Sequence, residues 1–172
     1  RFALPAWLLV SCLLIAANTQ AMAGDLEKAV DAFNRQDFNT ALGLFYPLAD
    51  AGEPVAQYNL GTMYVKGDGV TQNYAEARQW FEKAAAQGVV QADVSLGIIY
   101  SYGFGVPQDY AMAADWYRKA AEKNDPGAMN NLAILYDHNR GVKQDFAEAF
   151  KWYRKAAEMG FVPAQNNLGV IY

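Results

Sequence analysis

The side chains that could do chemistry are few. His138 is the single histidine, and Cys12 is the single cysteine. A zinc site needs three or four His, Cys or carboxylate ligands converging on one point. His138 has only Asp137 beside it, so no metal site and no metal cofactor is expected. A serine nucleophile would have to recruit His138, and neither Ser95 nor Ser101 sits in a strained strand-to-helix turn. Gly67-Asp68-Gly69 lacks the Lys-Ser/Thr pair that completes a phosphate loop. The acidic residues are scattered at spacings that read as solvated helix faces. No pair stands out as an acid and a nucleophile for glycan cleavage. The expectation is a chain without a catalytic constellation and without a cofactor.

The elements that would position any site are set by a period. WYRKAAE occurs at Trp116–Glu122 and again at Trp152–Glu158, with WFEKAAA at Trp80–Ala86. Trp80, Trp116 and Trp152 are spaced by 36 residues. Leu60, Leu96, Leu132 and Leu168 keep the same interval, as do Tyr64, Tyr100, Tyr136 and Tyr172. Gly61, Gly97 and Gly169 keep it too, with Ala133 in the remaining place. A fixed period of this length marks a stacked array, in which no single unit buries its own apolar face.

Each unit reads as a helical hairpin. Glu53-Pro54 opens a first helix, with Pro where a missing N–H is harmless. Gly67 and Gly69 then permit a tight loop, and the second helix runs from about Asn73 to Gln87 with Tyr74, Ala77, Trp80, Phe81 and Ala84 on one broad face. The pattern returns at 92–123 and 128–159. In the third loop Asn139 replaces the first glycine, and Asn tolerates the left-handed region better than most residues. Asp25–Gly52 forms a shorter, related hairpin. The expected divisions are 24–53 for that hairpin, 54–89, 90–125 and 126–161 for three full copies, and 162–172 for the first helix of a fourth.

Residues 1–23 read as a secretory leader. Arg1 is the charged start, Leu4 to Ala17 is mostly apolar, and Ala21-Met22-Ala23 offers a cleavage site. Leu9-Val10-Ser11-Cys12 has the look of a lipoprotein box. The apolar run continues through Leu13–Ala17, however, where an acylated cysteine would close it, so cleavage is expected and a lipid anchor is not. Beyond Gly24 there are 13 basic against 18 acidic residues, a formal −5. That balance argues against nucleic acid as a partner, which calls for a basic footprint. Beyond the leader there is no cysteine, so stability must come from helix packing without disulfides. The chain has no initiator Met and stops inside a repeat, which points to a piece of a longer protein.

With those residues set out, the chain resembles the Sel-one-like repeat family, a branch of the tetratricopeptide clan. The shared pattern is A-x-x-x-L-G-x-x-Y, then G-x-G-V, then A-x-x-W-[FY]-x-K-A-A. It stands at Ala56–Tyr64, Gly67–Val70 and Ala77–Ala85, and recurs twice through Ala157. The resemblance implies an all-α fold, a right-handed α-solenoid of antiparallel helix pairs, used as a non-catalytic scaffold for protein partners. It also implies export, to the periplasm for bacterial relatives. Cysteine-rich relatives bind and hydrolyse penicillin-like compounds, but this chain lacks their paired cysteines. Two readings stay open beside the scaffold. One is an envelope protein that binds or hydrolyses peptidoglycan or a β-lactam; the other is a support for a catalytic domain beyond residue 172.

In such solenoids the first helices line the concave side. At about 100° per residue, Ala56, Leu60, Gly61 and Tyr64 form the packed face of one first helix. Tyr58, Asn59, Thr62 and Lys66 lie opposite. The equivalent positions are Val94, Ser95, Ile98 and Tyr102, then Asn130, Asn131, Ile134 and His138, then Asn166 and Asn167, with Val170 following. Amides, small apolar groups and polar-tipped rings in this mixture suit an extended peptide. These residues are the expected partner-binding set, with the apolar members also able to serve as packing between neighbouring first helices.

Overall fold

In a computed structural model the backbone is described for residues 6–171 and the side chains for 20–169. The described residues form nine helices in chain order: α1 Ala6–Asn34, α2 Phe38–Asp50, α3 Pro54–Lys66, α4 Tyr74–Ala86, α5 Val90–Tyr102, α6 Tyr110–Glu122, α7 Pro126–Asp137, α8 Phe146–Glu158 and α9 Val162–Ile171. The substantial packing runs between consecutive helices along the chain. This is the all-α solenoid that the period predicts.

Capping chemistry explains where the helices begin and end. Asn73, Asp109 and Asp145 each accept two backbone N–H groups from the first turn of α4, α6 and α8. Glu53 and Asp125 cap α3 and α7 ahead of Pro54 and Pro126. Gly67 (φ 77°) and Gly103 (φ 71°) close α3 and α5 in the left-handed region, and Asn139 (φ 54°) takes that conformation after α7. Each is a residue that enters this region at little or modest cost.

The core is built at the seams between hairpins. Trp80 is buried and packs edge-on against Tyr46 of the preceding hairpin, ring centroids 6.4 Å apart. Leu60, Leu96 and Leu132 are fully buried. Gly61 and Gly97 allow close approach of the second helix of their own hairpin. A Cβ on Gly61 would lie 2.6 Å from the Phe81 ring, and one on Gly97 would meet the Tyr117 ring. The second loop glycines make the contact between copies, since Gly105 abuts Tyr74 and Gly141 abuts Tyr110. Val106 and Val142 tuck against the adjoining clusters.

At the N-terminus one helix spans the end of the expected leader and the start of the first hairpin. α1 runs unbroken through Gly24, so the backbone places no boundary between the leader and the first hairpin. The charged start and apolar stretch of the expected leader fall on residues 1–19, outside those with described side chains; Arg1 and Leu4 lie outside the described backbone as well. No helix among the described residues is long and apolar enough to cross a membrane.

Candidate functional site

Two clefts open beside α5. The first lies between α3 and α5, has a volume of about 200 Å³, and is lined by Tyr58, Thr62, Phe81, Ser95, Ile98 and Phe104, with others. The second lies between α5 and α7, measures about 250 Å³, and is lined by Ile98, Tyr102, Tyr110, Tyr117, Asn131 and Arg140, with others. Ile98 belongs to both.

The clefts are translates of one another by one period. Thr62, Phe81, Ser95 and Phe104 of the first correspond to Ile98, Tyr117, Asn131 and Arg140 of the second. Tyr74 and Tyr110 occupy the same place in each. The translation keeps the shape and changes the chemistry. In the first cleft the Phe104 ring stacks on Tyr74 at 5.0 Å, and Tyr102 stacks on the outer side of Phe104 at 5.5 Å. In the second the Arg140 guanidinium lies over the Tyr110 ring, 5.6 Å from its centroid. Among the described residues no carboxylate pairs with Arg140. Each lining carries four hydroxyl side chains, and the second adds the amide of Asn131 to the Arg140 guanidinium. Ser101 Oγ donates to Tyr117 Oη at 3.3 Å, and burial pushes the Tyr117 phenol pKa up, keeping it neutral.

Loop glutamines hold these walls in place. Gln72 Nε2 donates to the Val65 carbonyl at 2.7 Å and to Tyr74 Oη at 3.2 Å. Gln108 Nε2 makes the same pair of bonds, to Ser101 O at 2.7 Å and Tyr110 Oη at 3.1 Å. Gln144 bonds Asp137 O at 2.7 Å, with Phe146 standing where the tyrosine would be. The loop is thus tied to the last turn of the first helix and aims the ring that forms the cleft wall.

The predicted site residues divide accordingly. Tyr58, Thr62, Ser95, Ile98, Tyr102, Asn131 and Ile134 line one cleft or both. Tyr102 is the most open of them, 67% exposed. The others lie elsewhere. Asn59 donates to the Val55 carbonyl on its own helix at 2.8 Å. Lys66 borders a separate shallow groove with Phe33, Phe38 and Asp68. Val94 packs against the C-terminal core. Asn130, placed on the open face by helical phase, is instead only 6% exposed and accepts from Asn167 Nδ2 at 2.9 Å, because α9 closes over it. Exposed His138 sits with Nδ1 3.1 Å from the Ile134 carbonyl, and Asn166 is exposed on α9.

Phe104, Arg140, Tyr74, Tyr110, Phe81 and Tyr117 line the clefts without having been expected to. The middle residue of the loop triplet is Asp68, then Phe104, then Arg140, changing in kind while its neighbours hold the loop shape. That contrast was the available signal. No group of three or more potential metal ligands occurs among the described residues.

A family model of the Sel1 repeat matches residues 54–89, 90–125 and 126–161. The chain belongs to the Sel1-repeat family. Among solved structures, these Sel1 repeats are similar to c5321, a protective antigen of uropathogenic Escherichia coli strains with an SLR fold, at 36% identity and a TM-score of 0.86 over 94% of this chain and 36% of that one. A Sel1 repeat protein from Oxalobacter formigenes matches at 33% identity and a TM-score of 0.81, over 86% of this chain and 60% of that one. The chain therefore spans about a third of the first relative and three fifths of the second. Helicobacter pylori cysteine rich protein B, at 24% identity and a TM-score of 0.59 over 76% of this chain and 93% of that one, shares the fold. No curated protein matches the chain. Sel1 repeats generally mediate protein–protein interactions.

Proposed function

We propose that this Sel1-repeat chain is an exported, non-catalytic scaffold that docks a protein partner, as an extended peptide segment, across the first helices. The observation that carries the reading is the pair of translated clefts sharing Ile98. Two like-shaped depressions one repeat apart on a rigid helical wall suit a segment that crosses several repeats, which is how solenoids present extended binding surfaces. Exposed Tyr102 and Phe104 supply the stiff aromatic area that interfaces favour. Export is supported by the leader pattern at residues 1–23, with the periplasm as the destination. It also fits the E. coli relative's description as a protective antigen.

The test is affinity capture from an envelope extract, with the chain as bait beside an Ile98→Ala/Tyr102→Ala variant of matched helicity. A partner held by the first bait and lost by the second is the expected result. Equal capture by both moves the interface to another face. Saturable turnover of a muropeptide or a β-lactam by the pure chain would replace the scaffold reading with an enzymatic one.

A further inference from the structure

The two clefts have the same frame and different linings, and that difference specifies an occupant. This step rests on the docking reading above. We infer that the chain recognises an extended peptide segment carrying an aliphatic side chain and, three residues away, an acidic side chain. The aliphatic group enters the α3–α5 cleft, and the carboxylate enters the α5–α7 cleft to meet Arg140.

The first cleft is walled by Phe81, Phe104 and Ile98 and offers little beyond apolar contact. Thr62 Oγ1 donates to Tyr58 O at 3.1 Å and Ser95 Oγ donates to Gln91 O at 2.8 Å, and the cleft holds no charged side chain. A cleft of about 200 Å³ of this kind takes one aliphatic side chain. The second cleft presents the guanidinium of Arg140 and hydroxyls above an apolar floor. Tyr110 Oη accepts from Gln108, so its own O–H remains able to donate inward. Cation and hydroxyl together complement a carboxylate, for which arginine is the preferred partner. Tyr110 beneath the guanidinium holds it over the cleft without consuming its charge.

The spacing follows from the stack. The two clefts lie on either side of α5, so one helix diameter, about 10–12 Å with side chains, separates them. A polyproline-II chain rises about 3.1 Å per residue with three residues per turn, so positions three apart project on one side about 9 Å apart. An aliphatic residue and an acidic one in that register meet the two clefts together. The chain as a whole is acidic, so the local charge of Arg140, and no general attraction, selects the carboxylate.

Three fluorescein-labelled peptides of glycine, serine and proline test this by anisotropy with the full chain. The first is blocked at both ends and carries leucine with glutamate three residues on. The second has glutamine for glutamate. The third has that glutamine and a free C-terminal carboxylate. The first peptide is expected to bind about tenfold more tightly than the second, the scale of one charge-assisted pair. Arg140→Gln should remove that preference, so that the glutamate and glutamine peptides bind with similar affinity. Arg140→Phe copies the Phe104 arrangement and keeps a ring against Tyr110, so it checks that lost preference is not lost folding. Equal binding of the first two peptides, binding of neither, or a preference that survives both substitutions overturns the inference. Tightest binding of the third peptide also overturns it, in favour of a chain terminus. Partner capture lost in Ile98→Ala/Tyr102→Ala but untouched by Arg140→Gln would leave docking standing and remove this specificity. Capture unaffected by either would remove both.

Discussion

The carboxylate of Asp93, 1% exposed, is held by Lys123 Nζ at 2.8 Å, thirty residues further along the chain. One copy earlier, Gln87 Nε2 donates to Gln57 Oε1 at 2.8 Å from the equivalent positions. The same tie between the start of a first helix and the end of a second is made once by charges and once by amides. Lys123→Met strands a buried carboxylate and should cost about 1–3 kcal/mol. Asp93→Gln/Lys123→Gln transplants the amide solution and should recover most of that loss. Urea midpoints of the two variants decide it; equal destabilisation would show the amide tie does not transfer.

Close helix approach at the glycine positions gives a second prediction. Gly97→Ala drives a methyl into the Tyr117 ring, which is buried and has little room to move. The overpacking should lower stability by about 1–3 kcal/mol. Ala133→Gly, at the equivalent place in the next copy, should cost only about 0.5–1 kcal/mol, the usual penalty for glycine within a helix. Chemical denaturation of both, side by side, tests the contrast.

Alkaline stability should turn on Tyr46. Its hydroxyl is hydrogen-bonded to that of Tyr64, and burial first, then that bond, raise its pKa from 10.0 to about 12. The unfolded chain therefore releases this proton before the folded one does. The stabilising contribution is complete below pH 10 and is lost as pH rises through 12. Tyr46→Phe should flatten the fall in melting temperature across that window. An unchanged slope would assign the alkaline loss to other groups, Tyr153 among them, whose phenol is also pushed to about 12 by burial.

Gln108 connects stability to binding. Replacing it with methionine removes the bonds to Ser101 O and Tyr110 Oη. A stability loss of about 1 kcal/mol is expected. Tyr110 should also become free to reorient, weakening partner capture more than the equivalent Gln72→Met. Binding that falls equally in the two variants would mean the α5–α7 cleft has no special weight.

The array itself was legible because its determinants repeat. Trp80, Trp116 and Trp152, the buried leucines and the loop glycines each report the same period, and hairpin packing follows from it. The clefts were only half legible. Helical phase places Thr62, Ile98 and Tyr102 on the open side, but phase describes one helix and cannot show what a later helix covers. Asn130 illustrates this: its cover comes from Asn167, 37 residues on. Phe104 and Arg140 escaped notice because they sit inside a loop triplet whose glycines drew attention to backbone shape. Gln72 and Gln108 read as polar loop residues, and only their bonding to tyrosines two positions later reveals a brace. The expected leader rests on a pattern of charge and apolar residues alone, and the helical backbone through Gly24 carries no mark of a cleavage point.

The polar tie closes within a copy each time: Gln57 with Gln87 inside 54–89, and Asp93 with Lys123 inside 90–125. The third copy has Met129 and Met159 at those positions. Among the contacts to the neighbouring copy one is nearly invariant, a loop glycine against an aromatic residue. A whole copy can therefore be duplicated, deleted or transposed in the gene without orphaning a buried charge, while the middle loop residue drifts from Asp68 to Phe104 to Arg140. Such an arrangement lets a lineage reorder the linings of its clefts by recombination while keeping that glycine–aromatic joint.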